Sequence, residues 1–173
     1  IWDNNIGAEG ATAIVNAAPT QMRTLCGDMF EEGQTEADLS GKKLGPEGAI
    51  LVAWDLRAGF VSTSMKKLII FKNNLGDEGI GIITSAVEGK EISLCGAEPG
   101  QTDLDLSKQG LGPEDAKIIA WDLTTGFVSS SMTSLNLASN YLGMNMSTGG
   151  LDMTGIKAFA DALSVSSSMT SLK

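Results

Sequence analysis

The sequence repeats itself, and this internal periodicity constrains the fold more than any other feature. Residues 33–76 align without gaps on residues 100–143 at an offset of 67, and 25 of the 44 aligned residues are identical. Both segments contain the strings LGPE, AWDL and GFVS. Agreement of this kind does not arise from shared composition. The two segments are therefore copies of one structural unit, and stacking of such units is the predicted source of stability.

Each unit contains a shorter motif twice, L-x-L-x-x-N-x-L-G, in which Lys42 and Gln109 stand at the Asn position of two copies. Side chains alternate along a strand, so the two apolar residues of L-x-L point to one side and the residue between them to the other. The Asn is predicted to bond backbone groups that would otherwise be buried without partners where the strand turns away. Strand starts are predicted near residues 37, 68, 104, 135 and 172, and residues 1–7 hold the tail of another copy.

A helix is predicted to follow each strand. Between residues 116 and 123 the apolar residues have the i, i+3, i+4 and i+7 spacing of one helical face, and Pro113 suits the first turn of a helix. Helices are therefore predicted over roughly 113–125 and, in the earlier copy, 46–58. Parallel strands need a crossover, which these helices supply. The strands are accordingly predicted to be parallel and to lie in one sheet.

The strings LIIFKNNLGDEG (68–79) and LNLASNYLG (135–143) resemble the leucine-rich-repeat superfamily, specifically its ribonuclease-inhibitor-like class with a helix in every repeat. The resemblance covers nearly the whole chain. It implies an α/β solenoid with a curved parallel sheet on the concave face and helices on the convex face. Residues 1–173 are predicted to form a single such domain. Partial repeats at both ends, without a visible polar cap, lead us to expect a fragment of a longer array.

The composition argues against several functional classes. The chain has no histidine, which removes the commonest general base and most zinc sites, so no catalytic residue, metal or cofactor is predicted. The formal net charge of −9 disfavours binding to nucleic acid. No apolar run approaches the roughly 20 residues of a membrane span, so no membrane insertion is predicted. The chain is therefore predicted not to be an enzyme.

The two cysteines occupy equivalent places in successive long units. Cys26 and Cys95 each follow a Leu and precede a Gly. Equivalent positions two repeats apart are separated by at least two strand spacings, about 9.6 Å, which is more than a disulfide allows. The two residues are therefore predicted to form no disulfide, which favours a reducing intracellular compartment.

The predicted function is that of a protein-binding or assembly module, by analogy with the superfamily, and a role as a subunit of a larger complex is left open. Two alternatives remain: a regulator of an enzyme, either nuclease-inhibiting or GTPase-activating, and the sensor region of a larger receptor. Trp54 and Trp121 are predicted to pack between helices, although ligand stacking is an alternative. Trp2 either anchors a partner or contacts a preceding repeat. The candidate protein-binding residues of the concave face are Trp2, Asp38, Ser40, Ile69, Phe71, Lys72, Asp105, Ser107, Lys108, Asn136, Ala138 and Ser139.

Overall fold

Helices and short strands alternate along the chain. A computed structural model describes residues 4–58, 61, 63–145 and 148–173. The helices are α1 (Gly7–Ala17), α2 (Gly45–Arg57), α3 (Gly76–Val87), α4 (Pro113–Thr124), α5 (Gly126–Ser129) and α6 (Thr154–Val165), with a 3-10 turn at Gly27–Met29. The strands are β1 (Glu36–Asp38), β2 (Lys67–Ile69), β3 (Asp103–Asp105), β4 (Ser134–Asn136) and β5 (Ser171–Leu172).

The strands pair in the register that the repeat predicts. Leu104 of β3 lies opposite Leu135 of β4, which in turn lies opposite Leu172 of β5. Ala37 of β1 lies opposite Leu68 of β2 in the same way. All of these pairings are parallel, as predicted, and each strand lies one residue earlier than expected. The helices α2 and α4 also match their predicted bounds to within one residue.

The prediction of a single sheet is wrong. β1 and β2 form one sheet, and β3, β4 and β5 form another. The outer edge of β2 pairs instead with a short segment around Ser93. The Ser93 amide donates to the Lys66 carbonyl at 2.9 Å, and the Ser93 carbonyl accepts from the Leu68 amide at 2.8 Å. Residues 94–102, termed the insert, then separate that segment from β3. The insert has no counterpart between β3 and β4, which explains why the sheet is interrupted only here among the described strands.

The core lies where the alternating strand residues meet the apolar helical faces. Leu68 and Ile70 of one copy and Leu135 and Leu137 of another are buried in one cluster with the inner faces of α2, α3 and α4. Because a single strand and helix cannot cover both of their apolar faces, each copy depends on its neighbours for burial.

The Asn of the motif bonds buried backbone groups, as predicted, and in doing so it also links neighbouring copies. Buried Asn73 donates from Nδ2 to the carbonyls of Leu39 and Ile70, both at 2.8 Å, and its Oδ1 accepts from the Leu44 amide at 3.3 Å. Asn140 repeats this arrangement, with Nδ2 donating to Leu106 at 2.8 Å. One side chain thus supplies partners to backbone groups in two successive turns.

In the copy where Gln109 stands at the Asn position, two acidic side chains of α4 connect the copy to its preceding neighbour. The carboxylate of Asp115, at the start of α4, accepts from the Lys72 amide and the Gly112 amide, each at 2.8 Å. Glu114 Oε1 accepts from the Gly76 amide at 3.1 Å. Burial raises the pKa of Asp115, although its backbone hydrogen bonds act in the opposite direction. The N-terminus of α4 therefore holds the turn that follows β2.

The core assignment predicts a specific contrast in stability. Leu106 is buried, so Leu106→Ala is expected to lower the free energy of unfolding by about 2–5 kcal/mol through lost contacts and an unfilled cavity. The adjacent Asp105 is exposed, and Asp105→Ala is expected to leave stability nearly unchanged. Urea denaturation of both variants measures the difference. Equal losses in the two variants would contradict the assignment of strand faces.

Candidate protein-binding surface

The last residue of each of the first four strands points away from the core. These side chains, those of Asp38, Ile69, Asp105 and Asn136, define what we call the strand face. They are exposed or half-buried, and the residue after each of them is buried. The alternation of a β-strand thus places one outward side chain per copy in equivalent positions.

Three of the four outward side chains make the same local hydrogen bond. The Ser40 amide donates to Asp38 Oδ1 and the Ser107 amide to Asp105 Oδ1, both at 2.8 Å. The Ala138 amide donates to Asn136 Oδ1 at 3.1 Å. These bonds fix the direction of each side chain relative to its strand, so the polar groups on the strand face are preorganised.

The two aspartates on the strand face are held in their charged form. Hydrogen bonding from Ser107 lowers the pKa of Asp105, and Lys173 contributes in the same direction. At Asp38, burial acts to raise the pKa, but the hydrogen bonds from Ser40 and the nearby positive charge of Lys72 outweigh it, and the pKa is lowered. Both carboxylates are therefore ionised at neutral pH.

The rim of the strand face is formed by the turns that follow the strands. Lys72, Lys108 and Ser139 occupy equivalent positions, are exposed, and have positive φ angles of 58°, 58° and 62°. Left-handed backbone is costly for residues with a side chain and favours glycine. The remaining copy has Gly41 at this position, with a φ of 67°. Next to this rim, Ser40 and Ser107 are half-buried and Ala138 is exposed.

Two predicted members of the surface, Phe71 and Trp2, are not part of the strand face as described. Phe71 is 1% exposed and belongs to the core, so its assignment to the binding surface is wrong. The strict alternation stops after β2, and Ile70 and Phe71 are buried in succession. Trp2 lies outside the described residues.

The insert covers part of the strand face. Gly96 lies so close to Ile69 that a Cβ atom at Gly96 would be 3.0 Å from Ile69 Cδ1, and its φ of 88° suits glycine. Lys67 Nζ forms an ion pair with Glu36 at 2.6 Å and another with Glu98 of the insert. Hydrogen bonds to these two carboxylates raise the pKa of Lys67. The insert therefore crowds the strand face at Ile69, in its β1–β2 half.

Sequence reasoning missed two buried carboxylates. Asp122 of α4 is fully buried, and its oxygens accept from Ser93 Oγ at 2.9 Å, from the Leu94 amide at 2.8 Å and from the Cys95 amide at 2.6 Å. Burial raises the pKa of Asp122, and hydrogen bonding from Cys95 and its neighbours opposes that effect. The carboxylate joins the helix to the start of the insert.

The equivalent residue in the earlier copy has the same role. Asp55 of α2 is fully buried and accepts from Thr24 Oγ1 at 2.6 Å, from the Leu25 amide at 2.7 Å and from the Cys26 amide at 3.0 Å. The signal was present in the sequence, because both aspartates belong to the repeated string AWDL. An aspartate in the middle of an apolar helical face requires partners inside the protein.

Both cysteines are buried and neither forms a disulfide, as predicted. Desolvation by burial raises the pKa of Cys26 and of Cys95, with a further contribution from the adjacent aspartates Asp55 and Asp122. Because the thiolate is the reactive species, these thiols are poor nucleophiles and poor metal ligands.

The two tryptophans and the two arginines considered in the sequence lie away from the strands. Trp54 and Trp121 are half-buried and pack against the core, and Trp121 also lines a cleft with Lys90 and Phe127. Arg23 pairs with Glu32 at 3.3 Å, and Arg57 lies in the last turn of α2. Neither arginine lies on a strand.

In the described part of the chain, no three or more His, Cys, Asp or Glu side chains are arranged to hold a metal ion. No described helix has the length and apolar character required to span a bilayer.

The comparisons with known proteins agree with the geometry of the repeats. A family model described as Leucine Rich repeat matches residues 61–81, which include β2, Asn73 and the start of α3. No curated protein matches the sequence. The matched residues contain the buried Leu68 and Ile70 and the linking Asn73, which are the features that the motif requires. The chain therefore contains a leucine-rich repeat at residues 61–81.

Proposed function

We propose that the chain is a non-catalytic protein-binding module of the ribonuclease-inhibitor-like class, in which residues 1–173 form one solenoid with the strand face on its concave side. Leucine-rich repeats typically mediate protein–protein interaction, and the resemblance here extends beyond the matched residues 61–81 to the other copies of the motif. The proposal also includes a role as a subunit of a larger assembly.

The observation that carries the proposal is the repetition of outward polar side chains at fixed spacing. Asp105 and Asn136 lie opposite each other on adjacent parallel strands, and each is oriented by its own backbone hydrogen bond. Such a row presents directional groups to a partner with little further ordering on binding, which favours affinity. It contains no nucleophile–base pair that would support catalysis.

The β3–β4 half is the proposed contact area, because the insert covers Ile69 in the other half. Its members combine charged, amide and small apolar side chains, which is the mixed character of protein interfaces. They are Asp105, Ser107, Lys108, Asn136, Ala138 and Ser139. The net charge of −9 favours a protein partner over a nucleic acid.

The test compares two doubly substituted variants with matched chemistry. Asp105→Lys with Ala138→Arg changes the strand face, whereas Glu78→Lys with Ser85→Arg changes exposed positions of α3. Each protein is immobilised, and the proteins captured from the native source are quantified by mass spectrometry. We expect specific partners to be retained by wild type and the α3 variant and lost, by tenfold or more, from the strand-face variant. Partners lost only from the α3 variant would contradict the proposal.

A further inference from the structure

Neighbouring helices pack closely at a repeated glycine, but α4 lacks that glycine where it faces α3. A Cβ atom at Gly79 of α3 would lie 3.1 Å from a side chain of α2, and one at Gly155 of α6 would overlap the Pro113 carbonyl of α4. The string LGPEG (44–48) of α2 reads LGPED (111–115) in α4, so Asp115 takes the place of the glycine. A carboxylate needs more room than a hydrogen atom, and α4 packs less extensively on α3 than on α6.

A cleft of about 490 Å³ lies at this looser junction, between the carboxyl ends of α3 and α4, and we call it the seam cleft. Its α3 side is formed by residues 87–91, and its α4 side includes Trp121 and, in α5, Phe127. Both rings are half-buried, and both pack against the core. Described copies of the repeat flank the seam cleft on both sides, so its two walls are set by the fold.

Lys90 is held in the seam cleft through both its backbone and its side chain. Its amide donates to the Val87 carbonyl at 2.9 Å, which closes the turn after α3, and Gly89 in that turn has a φ of 72°. Its Nζ donates to the Leu56 carbonyl, at the end of α2, at 2.6 Å. A lysine amine has further N–H groups besides the one used in this bond, so it can also contact a ligand in the cleft.

The Lys90 amine is less basic than that of a solvated lysine. Burial and the nearby positive charge of Arg57 lower the pKa of Lys90. At Lys67 the opposite holds, because hydrogen bonds to two carboxylates raise its pKa. At a given pH a larger fraction of Lys90 is therefore neutral, and the neutral amine is the form that attacks a carbonyl group.

The rest of the lining offers aromatic surface and little net charge. Glu91 is paired with Lys66 at 2.9 Å, and the charges of Glu88 and Lys90 are opposite. The Thr124 hydroxyl donates to a carbonyl within α4 at 2.7 Å, so this donor is used inside the helix. The seam cleft therefore favours a neutral ligand that carries a ring and an acceptor for the Lys90 amine.

We propose that the seam cleft binds a small aromatic aldehyde, whose ring lies against Trp121 and Phe127 and whose carbonyl carbon forms an imine with Lys90 Nζ. The volume falls within the roughly 300–1,000 Å³ that is typical of small-molecule sites. Aromatic side chains attract a ligand ring through offset or edge-to-face contacts. None of these residues lies on the strand face, so the inference does not depend on the proposed protein-binding function.

The reaction is a condensation that needs no oxidant or reductant. The lone pair of the neutral amine attacks the carbonyl carbon, the C–N bond forms, and the carbonyl oxygen leaves as water with the two protons of the amine. Water reverses the step by hydrolysis. When the imine nitrogen is protonated it keeps one N–H group, which can donate to the Leu56 carbonyl as the ammonium group does.

Benzaldehyde is the probe for the first experiment. The protein is incubated with increasing benzaldehyde and with sodium cyanoborohydride, which reduces the imine to a stable amine, and labelled lysines are quantified by peptide mass spectrometry. Lys90 is expected to label in a saturable manner and about tenfold faster than the exposed Lys157 of α6, because binding places the aldehyde next to the amine. Labelling of Lys90 that is not saturable, or is no faster than that of Lys157, would overturn the proposal.

Benzyl alcohol separates binding in the cleft from reactivity of the amine alone. It carries the same ring but has no carbonyl group, so it is expected to compete with benzaldehyde and to slow labelling of Lys90 without slowing labelling of Lys157. If it leaves the rate at Lys90 unchanged, the cleft does not bind the ring and the proposal is wrong.

Matched variants identify the wall that holds the ring. Trp121 and Trp54 hold equivalent positions on α4 and α2, and only Trp121 is among the described residues that line the seam cleft. Trp121→Leu is expected to slow labelling of Lys90 about fivefold, and Trp54→Leu to leave it unchanged. Circular dichroism checks folding, and Phe127→Leu replaces Trp121→Leu if that variant folds poorly. Lys90→Arg keeps a donor for the Leu56 carbonyl and is expected to abolish saturable labelling. Equal labelling of Lys90 in the variants of both walls would refute the assignment.

Discussion

Asp122→Ala is expected to lower the free energy of unfolding by about 3–5 kcal/mol. The substitution leaves the Leu94 and Cys95 amides buried without this acceptor, at a cost of roughly 1–3 kcal/mol each, and it also removes the carboxylate to which Ser93 Oγ donates. The loss falls where the insert begins, so this region should also exchange its amide hydrogens faster. Chemical denaturation and hydrogen exchange measure the two effects.

The control for this prediction is Asp161→Ala, which removes an exposed carboxylate from α6 and is expected to leave stability unchanged. Asp122→Asn keeps one acceptor oxygen and should recover part of the loss. The equivalent Asp55→Ala should behave as Asp122→Ala does, because it removes the same three bonds from the earlier copy. A loss below about 1 kcal/mol at both aspartates would contradict their structural role.

Asn73→Ala is expected to lower the free energy of unfolding by about 2–4 kcal/mol. The side chain is 2% exposed, and its removal leaves the Leu39 and Ile70 carbonyls and the Leu44 amide without these partners. Each such buried group costs roughly 1–3 kcal/mol, partly relieved where water can enter. Asn73→Asp should be similarly damaging, because a carboxylate cannot donate to the two carbonyls.

Asn140→Ala is the matched comparison for Asn73. Asn140 makes equivalent bonds to Leu106 and Leu137 but is half-buried, so water can replace its side chain more readily. The expected loss is therefore smaller than for Asn73→Ala, as measured by urea denaturation. An equal or larger loss at Asn140 would indicate that burial does not control the contribution of these links.

The sequence by itself determined the repeating elements. The motif around Leu68 and Leu135 located the strands to within one residue and made them parallel, and the apolar spacing located α2 and α4. It also indicated the role of Asn73. These features are local, because the period of side chains along a strand or helix is set by backbone geometry and repeats wherever the motif repeats.

Only the tertiary structure decided how the copies meet between β2 and β3. The split of the sheet, the approach of Gly96 to Ile69, the burial of Phe71 and the replacement of the Asn link by Asp115 all occur there. Each depends on contacts between residues that are distant in sequence, such as the 43 positions that separate Lys72 and Asp115. A motif specifies which side of its own strand is apolar, but the residues that cover that side are set by the packing of neighbouring copies.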